Sequence, residues 1–370
     1  MKNIVNLGNV ATYINGYAFK PSDWAEDGTP IIRIQDLTGN SYQMNRFKGI
    51  VDSKYDVNSG DVLISWSARL GVYVWNRGNA VLNQHIFKVV FDKEEVDKDF
   101  FVFQIDNLLK RAANQAHGAT MRHLTKPVFD ALPFYLPDIK TQRLISSKLN
   151  LIVHLIEDHH EQLKKLDELI RSRFIEMFGD LINEPKYPGI KLGSLGVMIT
   201  GGTPSRKHDE YYGGNIPFIS TPCLGSNFIS EKNVQNYLTE AGVKNSATHK
   251  IPPYSLMVGN RVGVGKSSIN TCEMCTNQDI LSFVDIDTSR FDLLFLKKVI
   301  DQYSPYFDEH KRGATIQGVP SKVIKDSMVP DVPLEMQKRY TALVKHSDKS
   351  KYREAIFLYL LEDIRICCNI

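Results

Sequence analysis

The longest regular pattern of apolar and polar positions lies between Lys140 and Met177. Apolar residues alternate there at spacings of three and four, interrupted only at His159 and Arg173, and the other faces are largely charged. A repeat of about 3.5 residues per turn is what a coiled-coil helix needs. No Gly or Pro occurs before Gly179, which can end the helix in a left-handed cap. The predicted helix-interface residues are Ile145, Leu149, Ile152, Ile156, Leu163, Leu166, Ile170 and Phe174.

A second, less regular long helix is predicted from Leu334 to about Arg365. Its middle, Lys345–Lys351, is polar and weakens the seam, but the flanking apolar positions allow a stripe with a stutter. The stripe consists of Tyr340, Val344, Ile356, Leu360 and Ile364. We expect the two long helices to pair antiparallel along their seams. An ordinary long core helix is the alternative interpretation of the first one.

Short alternating apolar runs precede each long helix. They are bounded by Gly, Pro, Asn and Asp, a pattern that predicts strands joined by tight turns. The predicted strands are Ile31–Ile34, Val62–Ser65, Val72–Trp75, Ile86–Phe91, Ile216–Ile219, Leu256–Val258 and Leu281–Val284. One short helix follows in each half, over Phe100–Ala113 and Phe291–Tyr303.

The two halves of the chain repeat one another after roughly 194 residues. The matches, in chain order, are Leu7-Gly8 with Leu192-Gly193, Gly28–Ile34 with Gly214–Ser220, Asp61–Ser65 with Ser255–Gly259, Arg69–Val72 with Arg261–Val264, Asn83–Ile86 with Asn277–Ile280, Gly118–Thr120 with Gly313–Thr315, and Gln142-Arg143 with Gln337-Lys338. This duplication predicts an α+β protein of two tandem similar domains, separated by long helices that pair as an antiparallel coiled coil. The predicted segments are 1–138 and 181–333 for the domains, and 139–180 and 334–370 for the helices.

Composition and charge narrow the cellular setting. The formal net charge is only +3, so an anionic partner has to meet local basic patches. The start of the chain, Met1-Lys2-Asn3, shows no apolar signal region, and no apolar run approaches the roughly 20 residues that span a bilayer. Five cysteines, an odd number, favour reduced thiols. We therefore expect a cytoplasmic protein without membrane contact.

Motifs for chemistry are weak. Gly263–Ser267 is similar to the tail of a nucleotide-binding loop, but Asn260 stands where that loop needs Gly. Cys272 and Cys275 lack a second pair of ligands at zinc spacing. The sequence shows no methyltransferase signature, neither a Gly-rich cofactor loop nor an Asn-Pro-Pro or Asp-Pro-Pro tetrapeptide. Pro137-Asp138 and Pro330-Asp331 lack the downstream acid-x-Lys of a nuclease core, so turn and helix-capping roles are expected there. The sequence thus predicts no catalytic residue, metal or cofactor.

Several segments resemble one family. The run Thr200–Arg206 followed by Tyr212–Ile219, and the run Asn15–Lys20 followed by Gly28–Ile34, are similar to the openings of target-recognition domains in the specificity subunits of type I restriction–modification systems. Pro333–Arg339 and Ser172–Asp180 resemble the ends of that family's conserved helices. The apolar end of the chain, from Ala355 to Ile370, departs from the family's pattern.

The resemblance implies a sequence-specific DNA-binding subunit without chemistry of its own. Each target-recognition domain would read one half of a split double-stranded DNA target. The helices would set the spacing and dock two adenine methyltransferase subunits, which flip the base because it is unreachable inside the stack. Restriction translocase subunits could join this complex. The alternative is a two-domain adaptor that uses the helical rod for protein contacts without DNA; a stand-alone hydrolase or kinase finds no supporting residues.

DNA readers use Arg and Lys for phosphates, and Arg, Asn and Gln for base edges. On this ground we predict a set of DNA-binding residues, which includes the threonines of the two Gly-Ala-Thr turns. They are Lys20, Arg69, Thr120, Arg122 and Lys126 in the first half, and Arg206, Lys207, Tyr212, Arg261, Lys266, Arg312, Thr315 and Gln317 in the second. The bases they would read are not predicted, because recognition loops follow no simple residue-to-base code.

Overall fold

The computed structural model describes residues 3–40, 43–67, 69–115, 125–313 and 317–368. The chain divides into two compact units: residues 1–160 with 355–370, and residues 161–354. Each unit holds one α+β domain together with parts of two long helices, so the predicted fold class of two tandem domains and long helices is confirmed. Because the unit boundaries cross both long helices, the predicted division into four segments remains a prediction.

The first domain builds two four-stranded sheets. One sheet has the strand order β2-β9-β6-β7, and the other has the order β4-β3-β8-β5 with β3 and β8 parallel. The first strand, β1, pairs with the last, β10. The elements are β1 (Ile4–Asn6), β2 (Thr12–Asn15), β3 (Thr29–Ile32), α1 (Ile34–Leu37), β4 (Arg46–Phe47), β5 (Asp56–Val57), β6 (Val62–Ser65), β7 (Gly71–Val74), β8 (Ala80–Leu82), β9 (Ile86–Val90), α2 (Lys98–Gln115), α3 (Lys126–Asp130) and β10 (Pro133–Tyr135).

The second domain follows the first long helix, α4 (Ile139–Phe178), and precedes the other, α9 (Leu334–Cys368). Its elements are β11 (Gly179–Asp180), β12 (Glu184–Pro185), β13 (Gly189–Lys191), β14 (Val197–Thr200), β15 (Tyr212–Ile219), β16 (Phe228–Ile229), β17 (Asn236–Leu238), α5 (Glu240–Lys244), β18 (Lys250–Ile251), β19 (Leu256–Gly259), β20 (Ser267–Asn270), β21 (Met274–Thr276), β22 (Ile280–Val284), α6 (Leu293–Gln302), α7 (Ser304–Glu309), α8 (Ser321–Lys325) and β23 (Met328–Pro330).

The sheets of the second domain repeat those of the first. Their orders are β14-β22-β19-β20-β16 and β17-β15-β21-β18, and β13 pairs with β23 as β1 pairs with β10. The parallel pair recurs too: Ile31 lies opposite Val81, and Phe218 lies opposite Cys275. Among the described residues, the second domain adds one strand to these two sheets, β16 at one edge. A shared pairing order with shared parallel strands is the structural form of the sequence repeat.

The long helices run antiparallel inside each unit. In the second unit, the ring of Tyr340 on α9 lies 5.4 Å from that of Phe174 on α4, and Lys351, further along α9, pairs with Asp167, further back on α4. In the first unit, the ring of Phe357 lies 4.7 Å from that of His159. The predicted antiparallel pairing is therefore confirmed.

A buried glutamine attaches each long helix to the domain before it. The side chain of Gln142 accepts a hydrogen bond from Asp97 N (2.9 Å) and donates to the carbonyls of Glu95 and Pro137. Gln337 makes the equivalent three bonds, to Asp292 N and to the carbonyls of Arg290 and Val332. Both glutamines are almost fully buried. Since Asp97 and Asp292 stand just before α2 and α6, each glutamine connects the start of a long helix to the start of a short one.

Several local predictions need correction. The strand predicted over Ile31–Ile34 ends at Ile32, because Ile34 begins α1. The helix predicted over Phe291–Tyr303 spans Leu293–Gln302 and is followed by α7, whose early Pro305 lacks the amide that would continue α6. Asp331 does not cap α9; its carboxylate pairs with Arg290 at 3.0 Å. Gly179 does end α4 with a positive φ of 85°, as predicted.

Candidate nucleic-acid interface

A polar surface of the second domain lies where β14, β19 and β21 end. A turn of Asn277, Gln278 and Asp279 joins β21 to β22, and the Asn277 side chain shapes it by accepting from Asp279 N and donating to the Asp279 carboxylate at 3.2 Å. The carbonyl of Asp279 in turn accepts from Asn260 N at 3.0 Å, just after β19. These bonds bring segments far apart in the sequence to one edge.

Two recesses open on this surface. The first, of about 580 Å³, is named the arginine recess here and is lined by Thr200, Asn260, Arg261, Gln278, Leu281, Arg312, Gly318, Val319, Pro320 and Ser321. The second, of about 560 Å³, is named the amide recess and is lined by Thr203, Arg206, Asp209, Tyr212, Phe218, Ser220, Asn236 and Asn277. The two are connected by Gln278, whose side chain accepts a 2.5 Å hydrogen bond from the hydroxyl of Thr203.

A closed loop forms one wall of the arginine recess. Arg312 and Gly318 exchange two backbone hydrogen bonds of 2.8 and 2.9 Å, and Val319 N donates to the carbonyl of Asn260. Gly318 packs so closely that a Cβ there would lie 2.7 Å from Cγ of Arg261 and 2.8 Å from the Asn260 carbonyl. Only glycine fits this position without moving the Arg261 side chain or the backbone of Asn260 and Arg261.

The guanidinium of Arg261 is held by a carboxylate. Nη1 of Arg261 lies 3.5 Å from Oδ1 of Asp279, a side chain that is 14% exposed, whereas the Arg261 side chain is 52% exposed. The guanidinium is thus exposed to a ligand, while the Asp279 carboxylate orients one of its two terminal nitrogens. Arg312, which also lines the recess, forms no ion pair with any residue in the described ranges.

The first domain has different chemistry at the equivalent positions. Strand register places Trp66 and Ser67 where the second domain has Asn260 and Arg261, and His85 where it has Asp279. The backbone bond is kept, since Trp66 N donates to His85 O. The ring of Trp66 lies 5.1 Å from that of His85 and stacks on that of Phe87 at 5.6 Å, and its indole N–H donates to Asn15.

The predicted DNA-binding residues fall in several places. Arg261 and Arg312 share the arginine recess, with Gln317 exposed on the adjoining loop, and Arg206 and Tyr212 share the amide recess. Lys266 instead lines a third recess, with Lys297, Lys298 and Lys351. Lys20, Arg69 and Lys207 are exposed. Thr120, Arg122 and Thr315 lie outside the described residues.

Lys126 is occupied by neighbours in the first domain. Its ammonium lies 2.9 Å from the Asp130 carboxylate and over the rings of Tyr13 and Phe87, at 5.6 and 5.8 Å from their centres. Burial, with the nearby Asp130 charge, raises the pKa of Tyr13. A phosphate would have to compete with the Asp130 carboxylate for this lysine.

Sequence reasoning missed the amides that line the recesses. Asn236, Asn260, Asn277 and Gln278 were not among the predicted contacts. One signal was present: the Asn-Gln pair occurs at the same turn in both halves, Asn83-Gln84 and Asn277-Gln278. The other amides come from strand ends that only the fold brings together.

The predicted helix-interface residues are buried or half-buried, and those at the two ends of α4 pack into domain cores. Ile145 lies against the first domain's core, and Ile170 and Phe174 belong to that of the second. Other apolar residues of the long helices remain exposed, among them Leu144 and Leu151 in the first unit and Leu169 and Ile175 in the second.

Chemical sites other than these recesses are sparse. Among the residues that the structure describes, no group of three or more His, Cys, Asp or Glu is placed to hold a metal ion. Cys275 is buried, and burial raises the pKa of its thiol to about 11, which leaves it protonated and unreactive. In the same described ranges, no helix is long and apolar enough to cross a membrane.

Comparison with known proteins identifies the class. The family described as "Type I restriction modification DNA specificity domain" matches residues 2–168 and again residues 187–355. The chain therefore belongs to this family and carries its domain twice.

Similar proteins agree with that assignment. The chain is 25% identical over 170 residues to the type I restriction enzyme EcoBI specificity subunit of Escherichia coli, covering 45% of this chain and 35% of that protein. It is 26% identical over 178 residues to the MjaIX specificity subunit of Methanocaldococcus jannaschii, covering 46% and 41%. The chain thus spans well under half the length of the curated relatives it matches.

Solved structures share the fold over nearly the whole chain. A chain from a study of the assembly and conformational transition of the type I R-M system aligns with a TM-score of 0.65 at 14% identity, covering 99% of this chain and 96% of that one. The type I restriction-modification S subunit of M. genitalium aligns with a TM-score of 0.55 at 12% identity, covering 100% and 95%.

Proposed function

We propose that this chain is the DNA-binding specificity subunit of a type I restriction–modification complex and that it reads a bipartite double-stranded target. The observation that carries the proposal is the pair of equivalent strand-end surfaces, Trp66 with His85 in one domain and Arg261 with Asp279 in the other. Because the two domains share a strand order but carry different side chains at the strand ends, they suit two half-sites of different sequence.

The proposed mechanism divides the work between subunits. This chain binds DNA and positions two adenine methyltransferase subunits, which carry the chemistry; restriction translocase subunits can join the complex, and the site of action is the cytoplasm. Exposed apolar residues on the long helices, such as Leu151 and Leu169, support a protein partner there because such side chains gain from burial. The chain itself needs no cofactor for this role.

A domain exchange tests independent reading. Residues 1–138 would be replaced by the corresponding domain of another such subunit, and the methylated DNA motif would be mapped in cells that carry the hybrid and its methyltransferase. We expect one half-site to change and the other to persist. If both half-sites changed together, or neither did, independent reading by the two domains would be wrong.

Two further measurements test the assembly and the DNA contact. Native mass spectrometry of the chain co-expressed with its methyltransferase should show two methyltransferases per chain, and Leu151→Glu should weaken that complex more than the exposed control Gln162→Glu. Affinity for duplex DNA should fall steeply as salt rises, because phosphate contacts release counterions. A chain whose DNA binding is absent or independent of salt would instead be an adaptor.

A further inference from the structure

We propose that Arg261 recognises a guanine in the half-site bound by the second domain and that Asp279 is its positioning residue. This rests on the proposed function, since it assumes that the second domain binds DNA. The inference goes further by assigning one base to one side chain and by separating it from the neighbouring Arg312, which is assigned to a phosphate.

Backbone hydrogen bonds and close packing fix the position of Arg261. Its preceding residue, Asn260, is held by hydrogen bonds from Asn260 N to Asp279 O and from Val319 N to Asn260 O. Gly318 packs against the aliphatic part of Arg261, with no room for a Cβ. A reader of bases needs such a predetermined position, because a side chain that moves freely loses more entropy on binding.

The carboxylate beside Arg261 decides between a phosphate and a base. Asp279 Oδ1 lies 3.5 Å from the guanidinium, and its charge would repel a phosphate placed on the same fork. A guanine edge is neutral and presents two acceptors, O6 and N7, which an arginine fork contacts together. Arg312 has no carboxylate partner within the described ranges, so a phosphate meets no such repulsion there.

The surroundings fit a base edge as well. Asn260 and Gln278 line the same recess, and amides donate to and accept from bases rather than neutralise phosphates. In the first domain the equivalent of Arg261 is Ser67, whose short side chain carries no fork. The first domain therefore offers no equivalent of the inferred contact at this position.

The test is a selection from a pool of randomised DNA duplexes, performed with the full chain in complex with its methyltransferase. The wild-type complex should select a guanine at one position of the second half-site. Arg261→Gln, whose amide matches adenine rather than guanine, should reduce the preference for that guanine over other bases by about 5- to 150-fold, the equivalent of about 1 to 3 kcal/mol. The first half-site should stay unchanged.

Three matched variants separate the possible roles. Arg312→Gln should weaken binding to all sequences alike and reduce the salt slope by about 1. Arg290→Gln is the control, because Arg290 is 54% exposed and also pairs with a carboxylate, yet lies outside the recesses. Asp279→Asn should relax the preference for guanine while the thermal unfolding midpoint stays close to wild type.

The outcomes are distinguishable. A wild-type complex that selects no sequence overturns the proposed function. A selected second half-site without guanine, or an unchanged preference in Arg261→Gln, overturns the assignment of Arg261 while leaving the proposed function intact. An unchanged preference in Asp279→Asn overturns only the positioning role.

Discussion

The two domains pair their strands in the same order, and they differ in chemistry where those strands end. Leu63 lies opposite Lys88 in the first domain as Met257 lies opposite Ser282 in the second. A few residues further on, Trp66 stacks on Phe87 in one domain, whereas Asn260 and Arg261 form a polar recess in the other. The pairing of backbones tolerates almost any side chain at the strand ends, so these positions can diverge without cost to the fold.

The two domains also attach to their long helices in partly different ways. The buried glutamines, Gln142 and Gln337, make the same three hydrogen bonds. The tie between short helix and last strand differs: Gln104 bonds both backbone groups of Tyr135, whereas the hydroxyl of Tyr303 bonds both backbone groups of Met328. One connection was thus kept after duplication and another was replaced by a different side chain with the same bonding capacity.

The largest expected effect concerns the aromatic attachment of the second unit. Phe174 packs against Phe178, Phe295 and Tyr340, and Phe174→Ala should cost about 3 to 5 kcal/mol of that unit's stability. Ile145, at the other end of α4, is only partly buried against the first domain, so Ile145→Ala should cost about 1 to 2 kcal/mol.

Hydrogen exchange read unit by unit in urea measures both losses, because a chain with two units need not unfold in one step. The control is Ile175→Ala, an exposed position on the same helix that should change stability by less than about 0.5 kcal/mol. Equal losses for Phe174→Ala and Ile145→Ala would show that the two ends of α4 are attached with equal strength.

The second-largest expected effect on stability comes from the buried glutamines that attach the long helices. Gln142→Leu and Gln337→Leu should each cost about 2 to 4 kcal/mol, because each leaves one amide and two carbonyls without their partner. The loss should appear as faster hydrogen exchange at the amide of Asp97 in one variant and of Asp292 in the other. Gln162→Leu, at an exposed position of α4, is the control. Exchange that accelerates equally in both units would contradict separate connections.

The tie that differs between the domains gives a smaller, pH-dependent effect. Tyr303→Phe removes only the hydroxyl and should cost about 1 kcal/mol. Burial raises the pKa of Tyr303 above its ordinary value of 10.0. The folded state therefore holds that proton more tightly, so this contribution is complete below pH 10 and declines as the pH rises through the folded value.

Unfolding measured between pH 8 and pH 11 should show this alkaline decline in the wild type and a weaker one in Tyr303→Phe. Gln104→Leu removes the non-titrating tie of the first domain, so its loss should be independent of pH over that range. A pH-dependent loss in Gln104→Leu would show that another group is responsible.

The smallest expected effects on stability come from replacing the aspartates of the two Pro-Asp segments, and they should differ in their dependence on pH. Hydrogen bonds from the Thr141 hydroxyl and amide lower the pKa of Asp138. Asp138→Ala should therefore lower stability near neutral pH, and this difference should disappear as the pH falls below about 3.8, through the folded pKa. Asp331→Ala breaks an exposed ion pair and should cost about 0 to 1 kcal/mol, less in high salt. A loss for Asp138→Ala that persists at pH 2 would exclude the cap.

The sequence predicted the long helices better than the candidate DNA-binding surface, because a helix depends on residues close in sequence and the surface depends on residues far apart. The α4 prediction differs from the structure by one residue at each end, because the seam is local and Gly179 marks its end. The match of Arg69–Val72 with Arg261–Val264 was wrong in register. Val72 pairs with Ile64, and Ser267 pairs with Val258, so Val72 corresponds to Ser267 and not to Val264. The second loop carries one extra residue, which similarity of a few letters cannot locate.

The candidate surface was predicted only in part for the same reason. Arg261 and Arg312 stand out by charge, but their common recess depends on segments separated by some fifty residues. The parallel pairs, such as Ile31 with Val81, also leave no local pattern. Neither the hydrogen bonds of Asp279 nor the space that requires Gly318 can be read from residue types alone.

The pairing of the first strand of each domain with its last has a consequence for inheritance. Ile4 lies opposite Tyr135, and Gly189 lies opposite Pro330, so the chain enters and leaves each domain on neighbouring strands about 4.8 Å apart. A domain closed in this way can be removed from a gene and replaced by a distant relative's without stretching the flanking chain. Recombination between genes could therefore exchange one domain at a time, and each exchange would combine an old surface with a new one.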